Sequence, residues 1–191
     1  AWNRPLVWGV LLAALVLTLF ALRLTGPSNL EADAQDRNVG YVMDVVWEGH
    51  WLVQRDIRGR IMSKPPLHTW ITATFAEAGG INRLTLTLPS ALAVLAMALL
   101  AFHVGRQRYG MLAGGLAGLA VVLAPMMSKH IALVRTDALF ALAVVSIAAA
   151  FALRRRQATD VGLDVVGGHG RQLLRLVVPQ RRCSVLPALH E

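Results

Sequence analysis

Residues 5–24 read PLVWGVLLAALVLTLFALRL, and no charge interrupts them before Arg23. At about 1.5 Å of rise per residue, a helix of this length crosses ~30 Å of hydrocarbon. The run reads as a retained spanning helix, not a cleaved signal peptide. Arg4 does precede an apolar core, but the run is long and lacks a small-x-small exit before Thr25-Gly26-Pro27. Residues 84–104, 111–127 and 138–153 are three further spanning candidates, the last two near the lower length limit. Glycine and alanine in "AGGLAGLA" favour close helix contacts in lipid. With 55% of its 191 residues hydrophobic and 16% charged, the chain is too apolar for an ordinary soluble domain. The expected fold class is an all-α membrane protein of about four transmembrane helices, with amphipathic and re-entrant helices on the outer face and an irregular C-terminal tail.

The formal charge of +8 does not point to nucleic acid, because the basic residues fall in short clusters between apolar runs instead of forming one stripe. With four crossings, Arg4, "GRQRYG" and the "RRR" after the fourth run all lie on one face. The positive-inside rule makes that face cytoplasmic, so the N-terminus is cytoplasmic and residues 28–83 and 128–137 share the outer side. The single cysteine, Cys183, excludes an internal disulfide framework, and no CxxC or HExxH spacing suggests a closed zinc site.

The first outer loop, 28–83, holds most of the acids and is the one region able to host chemistry in water. Val39, Val42, Met43, Val46 and Trp47 recur at helical spacing, which predicts an amphipathic helix along the membrane surface that stops at Gly49. "DIRGR", from Asp56 to Arg60, reads as a turn. Pro65-Pro66 cannot continue a helix inward, and residues 67–78 then form a short apolar helix, re-entrant or interfacial. Trp47, Trp51 and Trp70 read as interfacial anchors.

Asp137, in "LVRTDALFALAVV", opens the fourth apolar run. A carboxylate at that depth is costly unless paired or wet, which makes it a functional candidate, with a helix cap as the alternative reading. Arg135 is placed to pair with it or with an anionic ligand. Asp33 and Asp36 precede the surface helix and taken alone read as caps; joined with Asp137 on one face they make a carboxylate set for general-base or cation-binding work. Lys64, one of two lysines, sits in "SKPPLHTW" after Arg55, Arg58 and Arg60. On a face where cations are disfavoured, an anionic partner such as a phosphate explains them, with snorkelling to headgroups as the alternative. His50, His68 and His130 lack metal-site spacing, and a polar surface role is expected of them.

Taken as an ordered set, "YVMDVVWEGHWLVQRD", "GRIMSKPPLHTWITA", "RLTLTLPSALAVL", "GRQRYG" and "ALVRTDALFAL" resemble the amino-terminal part of GT-C type glycosyltransferases over residues 5–153. The dolichyl-phosphate-mannose protein mannosyltransferases and the bacterial 4-amino-4-deoxy-L-arabinose lipid A transferases are the groups it resembles most. The resemblance implies transfer of a sugar from a polyprenyl-phosphate donor to a lipid or protein acceptor on the outer face, by an integral protein of the bacterial inner membrane. It matches Asp33, or Asp36 as the alternative, to the catalytic acid of the first outer loop, Lys64 to the lysine near the donor phosphate, and Asp137 to the second outer-face acid.

Two departures from that family pattern matter. Many relatives carry an acid just before the lysine that helps bind a metal, whereas this chain has Ser63, so no cofactor is fixed and a divalent metal is left open. Residues 1–153 are expected to form the membrane part. Residues 154–191 form a basic, glycine-rich tail where the family continues with further helices, which suggests a truncated or frame-disrupted product. A non-enzymatic membrane protein that binds anionic lipid, and an inactive fragment, are the alternatives.

Overall fold

The first apolar run folds as α1 (Pro5–Thr25), with Pro5 in the first turn, where a missing N–H costs no helical bond. Trp8, Leu12, Val16 and Phe20 recur every fourth residue and form its buried stripe. The structure is a computed structural model and describes residues 4–26 and 33–154, with Asp33 and Ala34 placed by their backbone alone.

The amphipathic segment is α2 (Asp33–Glu48), closed by Gly49, whose φ of +70° suits a residue without a Cβ. It starts earlier than expected, so Asp33 and Asp36 lie inside its first turns, where the exposed N–H groups favour negative charge. The DIRGR turn follows as predicted, pinned by a single bridge between Arg55 and Ile61. It packs closely on α2 at Gly40, where a Cβ would stand 3.0 Å from the Ile57 nitrogen. After Pro65-Pro66 comes α3 (Leu67–Gly79), which buries His68, Thr69, Thr72, Ala73 and Ala76. Ala73 and Ala76 join Val42, Val45, Leu86 and Val134 in one core cluster.

The next helix, α4 (Arg83–Tyr109), begins at a capping box in which the Asn82 side chain accepts the Thr85 N–H at 3.0 Å and Thr85 Oγ1 accepts the Asn82 N–H at 3.2 Å. Only Gly110 separates it from α5 (Met111–Leu123), giving a tight helical hairpin. Its glycines act as the sequence predicts. A Cβ on Gly114 would lie 2.7 Å from backbone atoms of Phe102 and Arg106, and one on Gly115 would strike the Trp8 ring at 2.5 Å. Trp8, Leu12 and Val16 thereby reach Ala98, Phe102 and Val122 in a second cluster.

The third apolar run does not continue to Met127 as one helix. It stops at Leu123, and Pro125 opens a separate short helix, α6 (Pro125–His130), because proline lacks the N–H that a continuing helix needs. An irregular segment leads to α7 (Asp137–Arg154). Among the described residues α1, α4 and α7 are long and apolar enough to cross a membrane, and α5 is a shorter apolar helix. The all-helical membrane class therefore stands, with α5 as its short member.

Arg83 closes the far end of α1 by donating to the carbonyls of Leu24, Gly26 and Arg23 at 2.8, 2.7 and 2.7 Å. The end of α1, the start of α4, α6 and the start of α7 thus gather at one end of this bundle, while Arg4, Arg106 and Arg108 mark the other ends of α1 and α4. The chain divides into two units, residues 1–150 and 151–191. Of the second, the structure describes only 151–154, the last turn of α7; the remainder of the 154–191 tail, including Cys183, lies outside the described residues.

Candidate functional site

Two side chains on α2, one turn apart, take hold of a single residue in the irregular segment before α7. Gln35 Oε1 accepts the Val134 N–H at 3.1 Å, and Asn38 Nδ2 donates to the Val134 carbonyl at 2.6 Å. Ser90 of α4 donates to the neighbouring Leu133 carbonyl at 2.7 Å. A buried irregular backbone needs partners for its polar groups, and these three side chains supply them. They also fix where α7 starts. Asp137 is its first residue, and the preceding Thr136 carbonyl accepts the Phe140 N–H at 3.0 Å.

Lys64, just before α3, comes to the same place as the start of α7. Pro65-Pro66 stiffen the chain that carries it, and the Pro66 carbonyl accepts the first helical N–H of α3, from Trp70, at 2.9 Å. Lys64 and Asp137 line one cavity of about 380 Å³, together with Pro65, His68, Thr136 and Phe140. Its walls are largely apolar, with an ammonium and a carboxylate as the charged groups among the described residues that line it. A separate, smaller cavity of about 70 Å³ is also lined by Lys64, with Arg37, Asn38 and Tyr41 of α2, the helix that carries Asp33 and Asp36.

Asp137 is ion-paired to Arg135, Nε to Oδ2 at 2.9 Å, so the pairing open to Arg135 in the sequence is made within the chain. Asp36 is half-buried in the first turns of α2. Asp33 is the first residue of that helix, and its side chain lies outside the described residues. Arg55 and Arg58 do not line the Lys64 cavity. The Arg55 backbone N–H donates to Asp44 Oδ2 at 2.8 Å, and the Arg58 backbone N–H to Asp56 Oδ1 at 2.9 Å. Burial opposes the charge of Asp56, yet the hydrogen bonds from Arg60 and Arg58 and the Arg60 guanidinium, at 2.8 Å, outweigh it and hold the carboxyl below the ordinary aspartate range.

The histidines depart from the expected polar surface role, except for His50, which is exposed and pairs with Asp44 at 3.1 Å. His68 is only 2% exposed and His130 only 5%. His68 Nε2 and His130 Nδ1 have no hydrogen-bond partner among the described residues. Burial pushes the His68 imidazole down to about 4 against the opposing pull of the Asp137 charge, so it is neutral at physiological pH. Burial lowers His130 as well, again opposed by Asp137. Sequence reasoning missed both, since nothing local marks a histidine as buried; it also missed the Gln35 and Asn38 clasp, whose one signal is a polar i, i+3 pair on an amphipathic helix. Among the described residues no group of three or more His, Cys, Asp or Glu side chains could hold a metal ion.

Comparison with known proteins bears on this geometry directly. A family model described as dolichyl-phosphate-mannose-protein mannosyltransferase matches residues 63–162, a stretch that opens beside Lys64 and runs through Asp137. No curated protein and no solved structure matches the chain. The matched stretch spans more than half of the chain and contains both charged residues of the cavity, and on it the chain belongs to the dolichyl-phosphate-mannose-protein mannosyltransferase family, a membrane glycosyltransferase family of GT-C type.

Proposed function

We propose that the chain serves transfer of a sugar from a polyprenyl-phosphate donor to an acceptor hydroxyl on the non-cytoplasmic face of a bacterial inner membrane. One observation carries the reading: Lys64 and Asp137, far apart in sequence, line the same mainly apolar cavity in a chain of this family. An apolar wall suits the polyprenyl end of such a donor, and a point-charge ammonium suits its phosphate.

In the reaction, the acceptor oxygen forms a bond to the anomeric carbon while the bond from that carbon to the phosphate oxygen breaks. The acceptor proton passes to a carboxylate, Asp33 or its alternative Asp36 by resemblance. Polyprenyl phosphate leaves with its charge facing Lys64, a fixed cation at the place where charge develops. Asp137, held by Arg135, accepts hydrogen bonds from the sugar hydroxyls and turns the donor's anomeric carbon toward the acceptor. The arginine-marked ends of α1 and α4 favour a cytoplasmic N-terminus, with the cavity on the opposite face.

Release of labelled sugar from a polyprenyl-phosphate donor in membranes carrying the chain tests the reading. Lys64→Ala is expected to lower the rate about 10²-fold, with Lys64→Arg recovering part of it, and Asp33→Asn is expected to lower it at unchanged protein level. Transfer that is indifferent to Lys64→Ala ends the proposal.

A further inference from the structure

A second cavity, of about 450 Å³, lies at the same end of the bundle and shares none of its lining residues with the first. Its walls include Arg23, Gln35, Arg83, Ser128 and Lys129, with no carboxylate among the described residues that line it. We infer that this cavity is a phosphate-binding site, separate from the Lys64 cavity, that takes the phosphate group of an anionic ligand at the membrane boundary.

Three features of the site support this. Arg83 already has a defined task, since it donates to the last carbonyls of α1, and its charge is thereby fixed at the cavity wall. Arg23 and Lys129, which both line the cavity, have no ion-pair partner among the described residues. Gln35 is only 5% exposed, and its carbonyl oxygen is engaged by the Val134 N–H. That orientation leaves the amide NH2 as the group presented elsewhere, a donor like Ser128 and the cations. Every charged or amide function thus offered is a donor, the complement of an oxyanion. The remaining lining, Leu22, Pro125 and Leu133 among it, is apolar, and the volume falls within the ~300–1,000 Å³ of small-molecule sites.

The inference is independent of the donor reading, and its test does not use transfer activity. The full chain carrying Lys64→Ala, which removes the cation of the first cavity, is purified in detergent and titrated calorimetrically with inorganic phosphate, dihexanoylphosphatidic acid and dihexanoylphosphatidylcholine. Phosphate-dependent binding is expected, and adding Arg23→Gln with Lys129→Gln is expected to weaken it about tenfold or more. The charge-keeping pair Arg23→Lys with Lys129→Arg is expected to retain it, which separates loss of charge from loss of fold. Binding of both phosphate and phosphatidic acid marks a site for the free group, and binding of phosphatidic acid alone marks a headgroup site; either supports the inference. It is overturned if the neutral double variant binds as its parent does, if phosphatidylcholine binds equally well, or if no phosphate-dependent binding is seen.

Discussion

His68 shows how one side chain can be legible in type and illegible in state. Its place after Lys64-Pro65-Pro66 is plain in the sequence, but its burial beside Asp137 at the start of α7, some seventy residues on, is something no local pattern brings about. Burial there makes protonation unfavourable, and this has a consequence for stability. The unfolded chain takes up the proton near pH 6.5, while the folded site resists it until about pH 4, so falling pH across that window favours the unfolded state. The loss is expected to be about 3 kcal/mol by pH 4 and to level off below it. Thermal unfolding in detergent from pH 7 to 4 checks this: His68→Phe should flatten the dependence, and an equal pH response in parent and variant would rule the account out. Asp137 contrasts with His68. Its exposure of about two-fifths and its pairing with Arg135 leave it wet, which is why a carboxylate is tolerated where α7 begins.

At the scale of elements, the glycines of α5 carry a prediction with an internal control. Gly114→Ala puts a methyl group 2.7 Å from backbone atoms of α4, so the hairpin must open, and a stability loss of about 1–3 kcal/mol is expected despite alanine's better helix propensity. Gly9→Ala meets nothing within 4 Å and should gain up to about 1 kcal/mol from that same propensity. Chemical unfolding of the two variants side by side reads the difference. The elements themselves were largely legible: α1, the stop of α2 at Gly49, the DIRGR turn and α3 after its prolines each follow from a local rule. The break at Pro125 was not taken from the sequence, because apolar residues on both sides of it masked a proline whose meaning is local. The clasp of Gln35 and Asn38 on Val134 was out of reach for a different reason. It joins residues nearly a hundred positions apart through side-chain to backbone bonds, which leave no periodic trace.

At the scale of the helical unit, reading α4 as a membrane crossing leads to the expectation that Lys64 and Lys129 share one side of the membrane and Tyr109 lies on the other. In a Cys183→Ser background, single cysteines at positions 64 and 129 are expected to react with an impermeant maleimide from the same side, and one at 109 only after permeabilisation. Opposite labelling of 64 and 129 would refute the arrangement of both cavities. The grip of Arg83 on the end of α1 also bears on how the protein is made. Arg83 lies 57 residues beyond Gly26, so α1 is synthesised before the guanidinium that closes it. In the interval its terminal carbonyls must rely on water and headgroups. The crossing made by α1 therefore reaches its finished form only when α4 is delivered.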